Sequence, residues 1–352
     1  MRSGLSCSAF TGDGRVVPRS LARETGLNRV ASSESDTLAT DKARIASGVG
    51  QRLDALPLTR LHLLVLGIGA VGFSFDLMEV ALGNVLSAVF SVPPYGLSAA
   101  ELSRLLSAMY LGAILGAPAA GWLADRHGRR LALMAVLAVL AVTSLGAAAS
   151  RGAGELFAAR FLSGLALGAY PPLLITFLTD ILPARHRGRS ILIVAGLAAL
   201  GPVAAVFLVR WLTPLEPLGI EGWRWCFLLG SVGSGLAAAA FRLLPESPRW
   251  LAARDGDGAL AAVARFEASP PIGRTGAVAP SAAAASRVSV TSPRRRLALF
   301  GALFFLSPWA VVAFPLLMGA VLIEKGYRLS DSLLYVGIIP AGANADSRRG
   351  FP

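Results

Sequence analysis

Apolar residues in this chain come in blocks of about 20, separated by short segments rich in arginine and glycine. About 20 apolar residues are what an α-helix needs to cross the hydrocarbon core of a bilayer. Seven blocks reach that length, at residues 61–86, 102–124, 131–150, 155–178, 190–211, 223–244 and 297–323. The chain is therefore predicted to be an all-α integral membrane protein with seven membrane spans.

The composition argues against a soluble protein. Charged residues make up 15% of the 352 positions, whereas about 25% is usual in soluble domains, and so few charges cannot cover the surface of two such domains. Cys7 and Cys226 are the only cysteines and stand far apart, which excludes a disulfide scaffold. The 33 basic residues outnumber the 21 acidic ones, but most lie between the apolar blocks. We therefore expect no nucleic-acid partner.

The sequence shows no pattern of an enzyme or of a cofactor site. It contains no nucleophile–base pair, phosphate-binding loop or dinucleotide fingerprint. The histidines lack the spacing of metal ligands, at positions His62, His127 and His186. We expect neither an enzyme nor a metal or organic cofactor.

The segments outside the spans define the expected domain boundaries. Residues 1–56 are polar and arginine-rich, so we expect a disordered extension. Residues 57–250 are expected to form a six-helix bundle. Residues 251–296 are rich in Ala, Ser, Pro and Arg and are expected to form a mobile linker with one short amphipathic helix near residues 258–266.

The last part of the chain is expected to be an incomplete second bundle over residues 297–343. It contains the seventh span and an eighth apolar block that begins at Ser332. That block meets the polar tail at residues 344–352 after about 14 uncharged residues, which is too short to cross a bilayer. We therefore expect a complete helix 7 and a partial helix 8.

Arginines in the short loops predict the orientation of the chain. Loops 125–130 and 181–189 hold three arginines each, whereas the three alternate loops hold Arg151 alone. Because short loops that carry positive charge stay in the cytoplasm, both arginine-rich loops, the N-terminus and the linker are predicted to be cytoplasmic. We expect a multi-pass protein of the plasma (inner) membrane.

The loop between the second and third spans reads Gly121-Trp-Leu-Ala-Asp125-Arg126-His-Gly128-Arg129-Arg130. Two long helices joined by about six residues need a tight turn, and glycine at 128 permits its backbone angles. Asp125 is suited to accept hydrogen bonds from a helix start, and the arginines to donate to helix-end carbonyls. On these features alone, the loop could simply be a stable hairpin with no further function. The segment also closely resembles the signature loop of the major facilitator superfamily, G-x-L-A-D-R-x-G-R-R/K.

Two segments around the fourth span resemble motifs of the same superfamily. Arg160-Phe-Leu-Ser163-Gly164 is similar to the R-x-x-Q-G element of its fourth helix, with serine in place of glutamine. Residues 180–188 are similar to the E-x-x-P-x-x-x-R-G element that follows, with Asp180 in place of glutamate, and with Arg187 and Gly188 matching.

The sixth span is flanked by a further pair of matches. Gly222-Trp-Arg224 and Pro245-Glu246-Ser-Pro-Arg249-Trp-Leu251 resemble the G-W-R and P-E-S-P-R-W-L elements at its two ends. This pair is typical of the sugar-porter, aromatic acid:proton symporter and nicotinate-transporter branches.

The resemblance covers about residues 50–343 and implies the fold of the superfamily. Its members have two six-helix bundles that bind solute between them and rock to expose it to each side in turn. Since the second bundle is incomplete here, we expect a C-terminally truncated chain that is inactive alone. The resemblance also implies a role in this conformational change for Gly121, Asp125, Arg126, Gly128, Arg129, Arg130, Asp180, Arg187, Gly188, Glu246 and Arg249.

Three charged residues are predicted to lie well inside spans, more than one helical turn from either end: Asp76, Glu79 and Arg160. A charge at mid-bilayer costs about 2.5–3.5 kcal/mol on insertion scales, so it usually faces a cavity and has a function. Asp76 and Glu79 share one face of a helix, and two carboxylates in one site favour the binding of a proton. Asp76 is the predicted proton carrier, because Phe73-Ser-Phe75-Asp76 also resembles a helix-one element implicated in coupling. Arg160 is predicted to hold an anionic substrate or an acid, and pairing for stability alone stays an open alternative.

Two aromatic residues are further candidates for the substrate site. Tyr170 precedes Pro171 and Pro172, which either free backbone carbonyls to line a cavity or merely kink the helix. Trp309 in the seventh span is suited to stack on an aromatic or sugar ring, or to pack against neighbouring helices and lipid.

The predicted function is proton-coupled symport of a small polar metabolite, either a sugar or an organic or aromatic acid. The expected partners are this solute, protons and membrane lipid. One alternative is proton-driven efflux, since Gly201-Pro202 loosely resembles an element of proton antiporters. Another is a non-transporting half-bundle membrane protein.

Overall fold

The computed structural model of the chain describes residues 9–10, 16–17, 44, 47–90, 95–272 and 293–308. Two short strands, β1 (Ala9–Phe10) and β2 (Val16–Val17), pair in antiparallel orientation. Residues 47–55 form the first helix, α1.

The remaining helices follow in chain order. The bundle consists of α2 Arg60–Phe90, α3 Ala99–His127, α4 Arg129–Ala149, α5 Ala153–Leu167, α6 Tyr170–Ile181, α7 Ala184–Ala198, α8 Leu200–Leu212 and α9 Gly222–Ala240. Two 3-10 turns, Pro217–Gly219 and Phe241–Leu243, precede and follow α9. The last three helices are α10 Pro248–Ala252, α11 Gly256–Glu267 and α12 Pro293–Pro308.

Six helical segments of the described chain are long and apolar enough to cross a membrane, and they match the first six predicted spans: Arg60–Gly83, Ala100–His127, Arg129–Ala149, Ala153–Ile181, Ala184–Leu212 and Gly222–Leu243. The predicted six-helix bundle is confirmed. Spans four and five each consist of two consecutive helices, α5 with α6 and α7 with α8. Helix α12 covers the start of the seventh predicted span. The rest of that span, Trp309 and the eighth block lie outside the described residues.

The break in the fourth span follows from its two prolines. Pro171 and Pro172 have no N–H to donate to the carbonyls four residues earlier, at Leu167 and Gly168. Helix α5 accordingly ends at Leu167, and α6 begins at Tyr170. The predicted helix break at this position is confirmed.

Helices α3 and α5 approach each other closely through paired glycines. Gly112 and Gly116 lie one turn apart on α3, and Gly164 and Gly168 lie one turn apart at the end of α5. A Cβ atom at any of these four positions would collide with the backbone of the opposite helix. Such small-residue contacts let membrane helices pack backbone to backbone. They also hold Arg160, one turn before Gly164, against α3.

Two apolar clusters form the interior of the bundle. The first lies towards the end that carries loops 125–130 and 181–189, here called the arginine-rich end, and includes Leu133, Leu137, Tyr170, Phe177 and Phe241. The second lies towards the opposite end, here called the Tyr95 end, and includes Leu82, Phe90, Trp223 and Phe227. Helix α2 contributes to both clusters. Asp76 and Glu79 lie on α2 where the clusters meet.

The expectation that residues 1–56 are disordered is wrong for residues 47–55. Val49 and Leu53 lie one turn apart on α1 and are 1% and 0% exposed. They belong to the first cluster, which also includes Val263 and Phe266 of α11. The sequence of α1 gave no signal for this helix, because its stability comes from packing on the bundle rather than from helix propensity.

For residues 251–296, the expected short helix is present, but the expected mobility is wrong for the part that the structure describes up to residue 272. The predicted short helix is confirmed as α11, Gly256–Glu267. The linker was expected to be mobile around it, but residues 251–272 pack on the bundle. The backbone N–H of Ile272 donates to Leu58 at 2.7 Å, and that of Arg60 donates to Pro270 at 3.0 Å. These bonds fasten the end of α11 to the start of α2.

Candidate functional site

Glu79 of α2 and Arg160 of α5 form a buried ion pair in the interior. Arg160 Nη1 donates to Glu79 Oε1 at 2.6 Å, and Nη2 donates to the Glu79 backbone oxygen at 3.3 Å. The two side chains are 4% and 2% exposed. Gly83, one turn further along α2, leaves the space that the guanidinium fills, since a Cβ atom there would collide with it. Removing one member of such a pair leaves an uncompensated buried charge.

Side chains from three other helices complete the surroundings of this pair. Ser144 of α4 donates to Glu79 Oε2 at 2.8 Å. Arg160 Nη2 lies 3.0 Å from Met109 Sδ of α3, and the guanidinium lies 5.7 Å from the ring centroid of Phe227 in α9. Both carboxylate oxygens of Glu79 therefore have donors. Sequence reasoning missed Ser144, for which a hydroxyl in an otherwise apolar span was the available signal.

Asp76 shares a helix face with Glu79 but has a different environment. It is 1% exposed, and its Oδ1 has no hydrogen-bond partner within the part of the chain that the structure describes. The Tyr170 hydroxyl packs against Gly72, one turn before Asp76, and donates to the carbonyl of Gly69 at 3.2 Å. Tyr170 thus borders this part of α2 without neutralising the acid. Of the five predicted site residues, the structure brings four into the bundle interior, and the fifth, Trp309, lies outside the described residues.

A small cavity lies beside Arg160, between α2, α3, α5 and α9. Its lining includes Gly83, Phe90, Leu105 and Leu156, and its volume of about 10 Å³ suits about one water molecule. Leu105 and Leu156 also line a groove of about 340 Å³ between the starts of α3 and α5. The ion pair is therefore close to space that water can enter from the Tyr95 end.

At the arginine-rich end, Glu246 closes the turn between α3 and α4. Gly128 has φ of 110° and ψ of 155°, a conformation that favours glycine, and a Cβ atom there would collide with the Glu246 carboxylate. Glu246 Oε1 accepts from the backbone N–H groups of Arg130 and Ser247, each at 2.9 Å. The Arg130 side chain donates to the carbonyl of Leu244 at 2.8 Å. Glu246 thereby supplies the negative charge that the start of α4 favours.

Asp125 was expected to cap a helix start, but it pairs with Arg129 across the turn instead. Arg129 Nε also lies 3.6 Å from Asp180 Oδ2 at the end of α6. The same Asp180 oxygen accepts from Ser247 Oγ at 2.9 Å. One carboxylate therefore joins the motif loop 121–130, the end of the fourth span and the segment after α9.

A further acid, Asp54 of α1, joins two more of the motif arginines, Arg187 and Arg249. Its Oδ1 lies 3.4 Å from Arg187 Nη2 and 2.9 Å from Arg249 Nη2. Sequence reasoning missed Asp54, because it lies in the segment that was expected to be disordered. No motif indicated it.

Three motif residues stand apart from these contacts. Gly121 and Gly188 have open space where a Cβ atom would lie. Arg126 stacks on Trp122 of its own helix, with the guanidinium 5.4 Å from the ring centroid. The structure thus brings together most of the predicted motif residues, but not these three.

At the Tyr95 end, Arg224 of the G-W-R segment ties α9 to the end of α4. Its Nη1 donates to the carbonyls of Ala148 at 2.6 Å and Ser150 at 2.5 Å. Its Nε pairs with Glu221 Oε2 at 2.6 Å. Arginine near a helix C-terminus satisfies carbonyls that have no partner within the helix.

Tyr95 completes this second cluster. Its hydroxyl donates to Glu221 Oε1 and accepts from Trp223 Nε1 at 2.9 Å. Burial raises the pKa of Tyr95, and the hydrogen bond to Glu221 raises it further. Burial alone would raise the pKa of Glu221 as well, but hydrogen bonds from Tyr95 and Arg224 outweigh it and lower that pKa below its ordinary value.

The fold has solved counterparts. The structure aligns with the xylose transporter XylE from E. coli, in a partially occluded inward-open conformation, with a TM-score of 0.56. The alignment covers 80% of this chain and 70% of XylE at 16% identity, a level that shows the fold alone. XylE is a transporter of the major facilitator superfamily. The fold and the six apolar helices therefore define a multi-pass membrane protein with the fold of that superfamily.

The chain belongs to the sugar (and other) transporter family, whose model matches residues 78–322. The putative metabolite transport protein YyaJ of Bacillus subtilis (strain 168) is 32% identical over 209 residues, which are 58% of this chain and 44% of that protein. The gallate transporter of Pseudomonas putida is 32% identical over 232 residues, which are 62% of this chain and 50% of that protein. The chain thus spans about half the length of these curated relatives.

Proposed function

We propose that the activity associated with this bundle is proton-coupled symport of a small polar solute, with Asp76 as the proton carrier. The observation that carries this proposal is the contrast between two acids less than one turn apart on α2. Both carboxylate oxygens of Glu79 have donors, whereas Asp76 Oδ1 has none among the described residues. The family supports transport of a small solute, and the contrast between the acids supports the choice of proton carrier.

The physical reason lies in the cost of an unpaired charge in a membrane. A carboxylate away from water and cations is far less stable than the neutral acid, so Asp76 is suited to change its charge when water reaches it. Glu79 has its charge balanced by Arg160 at 2.6 Å. The role that follows for Glu79 is to hold Arg160 in place.

The contacts of Arg160 also bear on the solute. Its guanidinium is already bound by Glu79 and lies against Met109 and Phe227. It is therefore a partner of an acid rather than a free anchor for an anionic solute. This removes the reason to favour an anion, so a neutral sugar and an aromatic acid are equal first choices for testing.

Uptake into liposomes tests the proposal. The sequence led us to expect that the chain is inactive alone, and the experiment sets the proposal against that expectation. Saturable accumulation of D-xylose or gallate by the purified chain under an imposed inward proton gradient would support the proposal. Asp76→Asn is expected to abolish accumulation driven by the gradient but to retain exchange of labelled for unlabelled solute, since exchange needs no net proton movement. Asp257→Asn, which changes an exposed acid on α11, is the matched control and is expected to behave like the unchanged chain.

The outcomes separate the alternatives. Full gradient-driven accumulation by Asp76→Asn would contradict the role of Asp76. Flux that requires the reversed gradient would favour efflux by antiport. Absence of both flux and exchange would contradict transport by this chain and favour the non-transporting half-bundle.

We further infer that the arginine-rich end faces the cytoplasm of the plasma (inner) membrane, with the N-terminus inside. Cysteine labelling tests this orientation, because the only native cysteines are Cys7, which is replaced by serine, and Cys226, which is buried. A cysteine in place of His127 is expected to react with a membrane-impermeant thiol reagent only after permeabilisation. A cysteine in place of Gly152 is the control and is expected to react in intact cells. The reverse pattern would contradict the orientation.

A further inference from the structure

Helix α1 precedes the first span, and its Asp54 receives three hydrogen bonds. Asp54 Oδ1 accepts from Arg249 Nη2 at 2.9 Å, from the backbone N–H of Ala184 at 3.1 Å and from Arg187 Nη2 at 3.4 Å. These donors belong to two separate elements, α10 and the first turn of α7. One carboxylate oxygen therefore joins two elements that are far apart in the sequence.

The first turn of α7 needs an acceptor from outside the helix. The first N–H groups of any helix have no partner within it, and the N-cap residue here is Pro183, whose side chain accepts no hydrogen bond. The turn has no acid of its own, and it carries the arginines of loop 181–189. Asp54 supplies both the missing acceptor and the negative charge that a helix N-terminus favours.

Helix α10 connects Asp54 to the motif loop. Trp250, which follows Arg249, donates from Nε1 to the carbonyl of Asp125 at 3.0 Å. Arg254 stacks on Trp250, 4.5 Å from the ring centroid, and donates to the same carbonyl. A displacement of Arg249 is therefore transmitted through α10 to the C-terminus of α3.

Two other contacts hold α1 in place independently of Asp54. Val49 and Leu53 are buried in the first apolar cluster. Arg52 makes a two-fold contact with Glu267 of α11, at 2.9 and 2.7 Å. The Arg52–Glu267 pair joins α1 to α11 without bonding α7 or α10, so it offers a matched control on the same helix.

We propose that Asp54 is a positioning residue for the conformational cycle and that α1 is the strap that carries it. The strap holds Arg187 and Arg249 together, keeps α10 against the start of α7 and thereby fixes the motif loop. This goes beyond the proposed function, because it depends neither on the solute nor on the driving ion.

Hydrogen exchange of the full chain in detergent micelles tests the proposal without a transport substrate. In Asp54→Asn, the amides of residues 183–190 and 247–254 are expected to exchange about five-fold faster, the effect of losing one helix cap. Asp54→Glu keeps the charge and is expected to restore most of the protection. Glu267→Gln is expected to leave both segments unchanged.

Several results would overturn the proposal. One is unchanged exchange of residues 183–190 in Asp54→Asn, and another is an equal effect from Glu267→Gln. A third is a failure of Asp54→Glu to restore protection, which would show that the charge is irrelevant. If Asp54→Asn does not fold, Arg249→Gln removes the closest donor and is expected to speed the exchange of residues 47–58, and no change there would also overturn the proposal. Since no solute flux is measured, a failed uptake experiment does not affect this result.

Discussion

The interior and the arginine-rich end both use contacts between arginines and carboxylates, but they use them differently. In the interior, Arg160 and Glu79 are almost completely buried and bind each other at 2.6 Å. At the arginine-rich end, the side chains are partly exposed and the acids are shared, as Asp54 is shared by Arg187 and Arg249. The interior pair is therefore a single unit, while the contacts at the end are distributed over several groups.

The difference shows that exposure to solvent determines how much an ion pair contributes to the free energy of unfolding. An ion pair near water contributes about 0–1 kcal/mol, since either partner is well solvated when the other is lost. Breaking a buried pair costs about 3–5 kcal/mol, because the remaining charge has no water and no counter-charge. The largest expected effects therefore lie in the interior, although the other region has many more arginines.

Arg160→Met is expected to have the largest effect of any single change. It leaves Glu79 buried beside Ser144 with no cation, and we expect a loss of about 3 kcal/mol or more in the free energy of unfolding. Arg249→Met at the arginine-rich end is the comparison and is expected to cost about 1 kcal/mol or less. Denaturant titration in micelles, followed by tryptophan fluorescence, measures both.

A second variant of the interior sharpens this comparison. Replacing both Glu79 and Arg160 by methionine is expected to recover most of the loss, since neither charge is then left alone. Equal losses for Arg160→Met and Arg249→Met would show that burial does not distinguish the two regions.

Much of the fold was predictable because a bilayer imposes a simple rule. Each span has to satisfy its own backbone in a medium without water, so length and apolarity alone indicate where helices cross. All six spans of the bundle were predicted on this basis, and so was the break before Pro171 and Pro172. Helix α1 was missed, because Val49 and Leu53 are too few to show a period. Their burial depends on a surface formed by α11, more than 200 residues later.

The residues of the candidate site were predictable from the sequence, but the sequence did not indicate which acid pairs with the arginine. Asp76, Glu79 and Arg160 are conspicuous because charges inside spans are rare. Which acid meets Arg160 depends on how α5 is placed around α2, and that placement follows from the glycine contacts between α3 and α5. No local pattern in the sequence encodes it.

Gly128→Ala is expected to have the next largest effect, at the arginine-rich end. The position has φ of 110° and ψ of 155°, which is essentially restricted to glycine, and the new methyl group would meet Glu246. We expect a loss of about 1–3 kcal/mol in the same unfolding experiment. Gly121→Ala in the same motif loop has open space and an ordinary helical position, so it is expected not to destabilise the chain. A similar loss from both changes would contradict the geometric reason.

Glu246→Gln is expected to cost about 1 kcal/mol, because the amide oxygen can still accept from both backbone donors but has no charge to offer the start of α4. Its two backbone donors, Arg130 and Ser247, are both at 2.9 Å. Asp125→Asn is the control, since the Asp125 side chain is 72% exposed, and it is expected to change stability by about 0.5 kcal/mol or less. If Asp125→Asn were the more damaging change, Asp125 and not Glu246 would stabilise the turn.

The smallest expected effect lies at the Tyr95 end, where the charged side chains are partly exposed, as they are at the arginine-rich end. Burial raises the pKa of Glu221, but hydrogen bonds from Tyr95 and Arg224 lower it more, so that the folded value is below the ordinary 4.5. The stabilisation from Glu221 is therefore fully present above pH 4.5 and is lost as the pH falls through the folded pKa. Because its side chain is 37% exposed, solvent screens the contacts and we expect about 0.5 kcal/mol. Unfolding of the unchanged chain and of Glu221→Gln, compared at pH 7 and pH 3, measures this. The gap between the two chains is expected to be smaller at pH 3 than at pH 7, and a gap that is the same at both values would show that the charge of Glu221 contributes nothing to this cluster.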